Sequence, residues 1–270
     1  MTQLVQILVL GLALGGVYAL MASGLTLIFG VMGIVNLAHA AFMTLAAYIA
    51  YWAFTLYGLD PILSIVIVMP VMFALGLLIY QLLFARLFGD PRGRGMTVLL
   101  SFALALVVEG VLGYLFTNIY RSTTPGYTAS ALLFGPFYLP EAQLYATLMS
   151  LAILGALWLF LEHTRTGYAI RATMQNRTAA EVVGVNVGRI SMLVFGIGMA
   201  LAGAAGSMMS FLFTFYPGKH WEWIAILLSL VVLGGMGSLL GALIGALALA
   251  VASAYVSSFF GPTWSPVTFY

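Results

Sequence analysis

The residues of this 270-residue chain that could do chemistry fall into two sparse groups. Asn36, His39 and Glu109 interrupt long apolar runs, whereas Arg171, Arg177 and Glu181 gather with Ala179, Ala180 and Gly184 in one polar stretch. Neither group reads as an enzyme centre. The chain lacks the phosphate-cradling G-x-x-x-x-G-K-[ST], the zinc-binding H-E-x-x-H and the nucleophile elbow G-x-S-x-G. His39, His163 and His220 lie in three separate regions, so no metal is expected. The absence of cysteine removes thiolate ligands and thiol nucleophiles. A proton relay needs several ionisable groups inside apolar segments, and only Glu109 and His39 lie well inside them. Binding and movement are left as the available chemistry. Asn36 and His39, one turn apart, could line a polar path or hydrogen-bond a neighbouring helix. Glu109, expected near mid-membrane, must face the interior, where it could touch a solute or bond to a neighbouring helix.

The elements that position these residues are set by composition. Hydrophobic residues make up 63% of the chain and charged residues 6%, against about a quarter charged in a soluble domain. Residues 1–59, 61–85, 95–108, 142–161, 190–218 and 223–270 carry no formal charge. Since about 20 apolar residues cross the hydrocarbon core, the longest of these hold two spans. The spans expected are 4–29, 33–57, 61–85, 96–119, 141–162, 190–215, 223–236 and 239–259. The segments are continuously apolar and do not alternate, which selects helices over a barrel. The fold class expected is therefore an all-α polytopic membrane protein with about eight transmembrane helices. Abundant Ala and Gly allow close helix contact. A net charge of +2 gives no reason to expect a nucleic-acid partner. The start, Met1-Thr2-Gln3, lacks the positive charge of a cleaved signal, so the N-terminus is expected to stay on the mature protein.

Loop cations set the orientation. Arg86, Arg92, Arg94, Arg165, Arg171, Arg177 and Arg189 fall on one side by parity, and only Arg121 and Lys219 on the other, which puts the first set inside the cell. Tyr51, Trp52, Tyr57, Tyr216, Trp221 and Trp223 fall at outer span ends, where an aromatic belt is expected. Glycine-bearing breaks at 30–33 and 234–238 could mark a transport pathway or be ordinary turns. The segment after Phe260 reads as the lead-in to a further span. The inner loop 163–189 has helical composition, with Ile170, Met174, Ala180 and Val183 giving an apolar side that must lie on lipid or a partner protein.

Three segments carry a resemblance: GYAIRATMQNRTAAEVVGVNV at 167–187, GVMGIVNLAHA at 30–40 and VLGGMGSLLGA at 232–242. Within the first, TAAEVVG at 178–184 is similar to the E-A-A-x-x-x-G loop of ABC-importer permeases, with Thr178 in place of the Glu. Together they resemble the branched-chain amino acid permease family that includes the high-affinity leucine/isoleucine/valine importers. The resemblance implies a single transmembrane permease domain over 1–270 with a short cytoplasmic coupling helix at about 176–186. It also implies a non-enzymatic chain moving branched-chain amino acids across a bacterial inner membrane by alternating access, with urea or short amides as the alternative cargo. Its partners would be a second homologous permease, two cytoplasmic ATPase subunits, a periplasmic solute-binding protein and membrane lipid. No cofactor is expected on this chain, ATP and Mg belonging to the ATPases. Arg171, Arg177, Ala179, Ala180, Glu181 and Gly184 would then couple to the ATPase, and Asn36, His39 and Glu109 become path candidates. Ala40-Ala41 follows His39 where the family often has Gly-Glu, so one polar group of the pattern is absent.

Overall fold

The structure, a computed structural model, describes residues 2–87 and 93–270, the side chains of 93 and 94 excepted. Arg92 and the Arg94 side chain lie outside the described residues. The chain forms α1 (Thr2–Met32), α2 (His39–Tyr57), α3 (Pro61–Ile79), α4 (Gly93–Phe116), a hairpin β1 (Ala131–Phe134) and β2 (Phe137–Pro140), then α5 (Glu141–His163), α6 (Arg165–Gln175), α7 (Arg177–Val182), α8 (Val187–Leu212), α9 (His220–Gly234) and α10 (Leu239–Phe260). Among the described residues, seven helices are long and apolar enough to cross a bilayer: α1 to α5, α8 and α10. The eighth expected span is α9, whose 15 residues reach roughly 22 Å at about 1.5 Å per residue, short of the ~30 Å core.

At the centre, α8 is buried along nearly its whole length against α1, α2 and α3, while α4, α5 and α10 keep broad apolar faces exposed. Small residues make this packing possible. A Cβ on Gly206 would overlap the Met43 carbonyl oxygen and sit 2.7 Å from Ala46 Cβ, so α8 and α2 touch through backbone. Gly11 and Gly15, one turn apart, seat α1 on Val251 and Leu247 of α10 in the same way.

The two glycine segments meet, although only the second is a tight turn: Gly30 belongs to the last turn of α1, and residues 33–38 lead on to α2. Gly235 (φ +89) and Gly237 (φ +88) close the turn from α9 to α10, and the Ser238 hydroxyl caps α10 by accepting from Gly241 N at 3.0 Å. Gly30 lies directly against Gly237, a Cβ on either coming within 3.3 Å of the other's Cα. Arg86, Arg165, Arg171, Arg177 and Arg189 sit on or beside the segments at this same end, while Arg121 and Lys219 belong to connections at the other. The parity read from the loops therefore matches the fold, and the arginine-bearing end is called the inner end below.

The aromatic belt does not form as expected. Only Tyr57, 83% exposed, stands at a helix end facing outward. Trp223 is buried, Tyr51 and Trp52 pack on each other and on Arg121, and Tyr216 stacks edge-on against Tyr120. These rings fill the space between helices because two connections dip into the bundle.

Candidate functional site

Two regions collect the polar residues, one at each end. At the inner end, α5 stops at His163 and Thr164 caps α6, its hydroxyl accepting from Gly167 N at 2.9 Å. A Cβ on Gly167 would collide with the backbone at Phe160 and Leu161, so this turn requires glycine. Ile170 and Thr173 are buried, and Met174 presses on α1, its Cε 2.6 Å from where a Gly30 Cβ would be. Helix α6 thus rests on the inner end of α1, where Gly30 meets Gly237. Its apolar side is laid on the chain's own bundle, not on lipid or a partner as the sequence suggested.

Asn176 and Asn186 then start α7 and α8, their Oδ1 atoms accepting from Ala179 N and Arg189 N, each at 3.0 Å. Ala180 is buried, which pins α7 to the body. The expected pairing of Ala180 with Val183 on one face fails, because α7 ends at Val182 and Gly184 (φ +90) turns the chain outward. Val182 and Val183 are 82% and 77% exposed, with Thr178, Ala179, Glu181 and Gly184 exposed around them. Arg171 pairs with Glu162 and stacks 5.0 Å from the Tyr168 ring centroid, and Arg177 Nε meets Glu181 Oε1 at 3.3 Å. Such half-exposed pairs contribute about 0–1 kcal/mol, so they shape the loop. An open groove of about 450 Å³ beside it, lined by Tyr80, Gln81, Arg177, Asn186, Arg189 and Met192, joins α7 to the inner ends of α3 and α8.

Asn36 and His39 lie just above this platform. Asn36 is buried and its Oδ1 accepts from Ala38 N at 3.1 Å, shaping the approach to α2. The His39 ring is sealed between α1, α2 and α8, so close to Gly24 that a Cβ there would stand 2.8 Å from Cε1. These two residues form a packed polar centre, and the structure does not bring them to Glu109.

In the outer half, two non-helical segments run side by side inside the bundle. Arg121 and Phe215 exchange both backbone hydrogen bonds at 2.9 Å, and Thr123 N donates to Ser210 O at 2.7 Å. Phe215 packs edge-on against Tyr48, nine residues before the end of α2, so the bridge lies roughly 10 Å or more below the helix end. Irregular backbone at membrane depth is tolerated only where protein buries it or it borders a watery cavity. The Arg121 guanidinium stands over Tyr51 and Trp52, 5.2 and 5.5 Å from their centroids, and donates to Tyr51 Oη at 3.3 Å and Phe116 O at 3.1 Å. Outside the bilayer, Tyr127 donates to Asp60, the N-cap of α3, at 3.3 Å. Burial, helped by that carboxylate, pushes the Tyr127 phenol above its ordinary range.

Glu109 sits seven residues before the end of α4, roughly 10 Å in, in the outer third and not at mid-depth as expected. Trp221 Nε1 donates to its Oε2 at 3.0 Å, and His220 Nε2 lies 3.9 Å away. Sequence reasoning missed Arg121, His220 and Trp221 as partners in this region, reading them as loop and belt residues. The approach of Arg121 to the rings of Tyr51 and Trp52 was a signal available only once the fold was known. Arg121→Ala is expected to cost about 2 kcal/mol, the scale of one hydrogen bond from a charged group together with cation–π attraction. Arg121→Lys, which lacks the forked donors, should fall between. Thermal unfolding in detergent checks the order.

The sequence pattern of the branched-chain amino acid transport system permease component family matches residues 7–269. A probable branched-chain amino acid transport permease protein, LivH, of Methanocaldococcus jannaschii is 27% identical, covering 80% of this chain and 70% of its own. The high-affinity branched-chain amino acid transport system permease protein BraD of Pseudomonas aeruginosa is 28% identical over 87% of this chain and 80% of its own. Among solved structures, PsaBC from Streptococcus pneumoniae in complex with Fab superposes with a TM-score of 0.50 at 14% identity, over 97% of this chain and 88% of that one, a likeness of fold alone.

Proposed function

The chain belongs to the branched-chain amino acid transport system permease component family, and from that premise we propose that it is the membrane-spanning subunit of an ATP-driven importer for branched-chain amino acids. It is a multi-pass membrane protein of a transporter family, and the inner membrane is its proposed location. In this reading ATP and Mg are bound by two partner ATPases, a second homologous permease completes the path, and an external binding protein delivers the solute. The family match across residues 7–269 carries the proposal. The inner loop supports it: Val182 and Val183 project as an apolar tip, while α6 behind them rests through Met174 on Gly30 of α1, which in turn touches Gly237 between α9 and α10. A push on the tip is thereby delivered to α1, α9 and α10 together. Arg171, Arg177, Ala179, Ala180, Glu181 and Gly184 hold this tip in shape, and Asn36, His39 and Glu109 stand along the helices that would move.

Proteoliposomes decide the matter. The chain assembled with both ATPases, the partner permease and the binding protein should accumulate leucine only with ATP, and the chain alone should show no flux. Solute flux through the lone chain would contradict the proposal. Within the assembly, Gly30→Val should displace Met174 and lower uptake about tenfold without loss of ATP hydrolysis, since overpacking by a few methyl groups costs about 1–3 kcal/mol. Unchanged uptake would separate α6 from the coupling route.

A further inference from the structure

The surroundings of Glu109 contain one donor too few. Its Oε2 receives the Trp221 Nε1 hydrogen at 3.0 Å. On the other side the fully buried His220 ring places Nδ1 2.9 Å from the Pro217 carbonyl oxygen. A carbonyl only accepts, so Nδ1 carries the proton and Nε2 presents a bare lone pair. That lone pair has no hydrogen-bond partner and lies 3.9 Å from Oε2. Two acceptors facing each other call for a donor between them. Gly218 lets the chain pass close beside this carboxylate, since a Cβ there would stand 3.2 Å from Oε1 and 3.1 Å from the Tyr216 ring.

The nearby cations are otherwise engaged. Lys219 pairs with Glu222, and Arg121 is held by Tyr51, Trp52 and the Phe116 carbonyl. Glu109 therefore keeps its charge unmatched by any Lys or Arg within ion-pair reach among the described residues. It is still 31% exposed, on the face of α4 that carries Phe102 and Leu106. A carboxylate facing hydrocarbon is costly, so this face opens on a watery path or on protein.

We propose that Glu109, His220 and Gly218 form a receptor for a primary ammonium group, by which a zwitterionic amino acid is held on its way through the membrane. The inference rests on the reading of the chain as an amino acid permease. An ammonium group brings three N–H donors and one positive charge. Placed between the facing Nε2 and Oε2, whose second lone pair is free beside the Trp221 bond, it donates to both and cancels the carboxylate, while an aliphatic side chain would lie on the paired rings of Phe102 and Trp221, 5.4 Å apart. Urea and neutral amides supply hydrogens without the charge and are disfavoured here.

Because the chain has no cysteine, Leu106→Cys gives a single reporter one turn from Glu109 on the same face. In the assembled transporter, its reaction with a small cationic methanethiosulfonate should be slowed by leucine and by 3-methylbutylamine but not by 4-methylpentanoate. Glu109→Gln should weaken that protection about tenfold or more, and Gly218→Ala, which crowds the carboxylate and leaves every charge in place, should weaken it too. Equal protection by the deaminated acid, protection unchanged in both variants, or a thiol that never reacts would overturn the receptor. If Glu109→Gln fails to assemble, the amine against acid comparison and Gly218→Ala decide. A wild-type assembly that carries leucine without ammonium-dependent protection sinks the receptor alone. One that carries no amino acid sinks the permease reading beneath it.

Discussion

In a transporter carrying Val182→Glu and Val183→Glu, ATP hydrolysis should persist while leucine uptake falls about a hundredfold. Both side chains project from the loop and make little contact within the chain, at 82% and 77% exposed, so the fold should tolerate the change. Burying a valine against a partner is worth about 1.5 kcal/mol or more. Two lost contacts then amount to about 3 kcal/mol, or roughly two decades in affinity. The added carboxylates would also have to be desolvated at the contact. Glu181→Arg should act in the same direction but more weakly, because its ion pair with Arg177 is half exposed and shapes only the local turn. Uptake and ATPase rate measured on the same proteoliposomes separate uncoupling from loss of assembly. Full uptake in the double variant would remove the tip from the mechanism.

The second large effect is on folding. Gly206→Val should abolish a folded, monodisperse chain in detergent, whereas Gly155→Val should be nearly neutral. At Gly206 the obstacle is the Met43 carbonyl and the backbone of Ala47, which cannot turn aside as a side chain could. At Gly155 nothing lies within 4 Å of the added Cβ. Between membrane-spanning helices, stability comes from close packing and not from expulsion of water, so a wedge between α2 and α8 has no compensating gain. Size-exclusion profiles and thermal midpoints of the two variants provide the comparison, and equal behaviour would refute it.

The long helices were legible because lipid demands continuous apolar runs, and each expected span has a counterpart. What the runs could not reveal is depth. The segments after the spans 96–119 and 190–215 read as outer connections, since Arg121 and Lys219 look like loop charges, yet backbone pairing with Phe215 draws Arg121 inside. That descent starts α9 beneath the surface, which makes it short. It also turns Trp221 and Trp223 from apparent interface anchors into interior groups. The hairpin at Ala131–Phe134 and Phe137–Pro140 went unforeseen, although Gly135-Pro136 between aromatic and apolar residues is a turn signal. In the inner loop the motif marked a segment and not the roles within it. The division of labour within it, Ile170, Met174 and Ala180 holding while Val182 and Val183 reach out, depended on Gly184 adopting a positive φ. His39 shows the reverse. A histidine one turn from an asparagine left a polar path and an interhelical hydrogen bond both open, and only the fold shows its ring packed against Gly24.

Cross-linking from the tip of the inner loop tests the account most directly. With Val183→Cys as the sole cysteine of this chain, a short thiol-to-amine cross-linker applied to the intact assembly should join it to an ATPase subunit, with a yield that changes when ATP is added. A thiol reached only from the external face of sealed vesicles, or one that joins no nucleotide-hydrolysing subunit, would contradict the account.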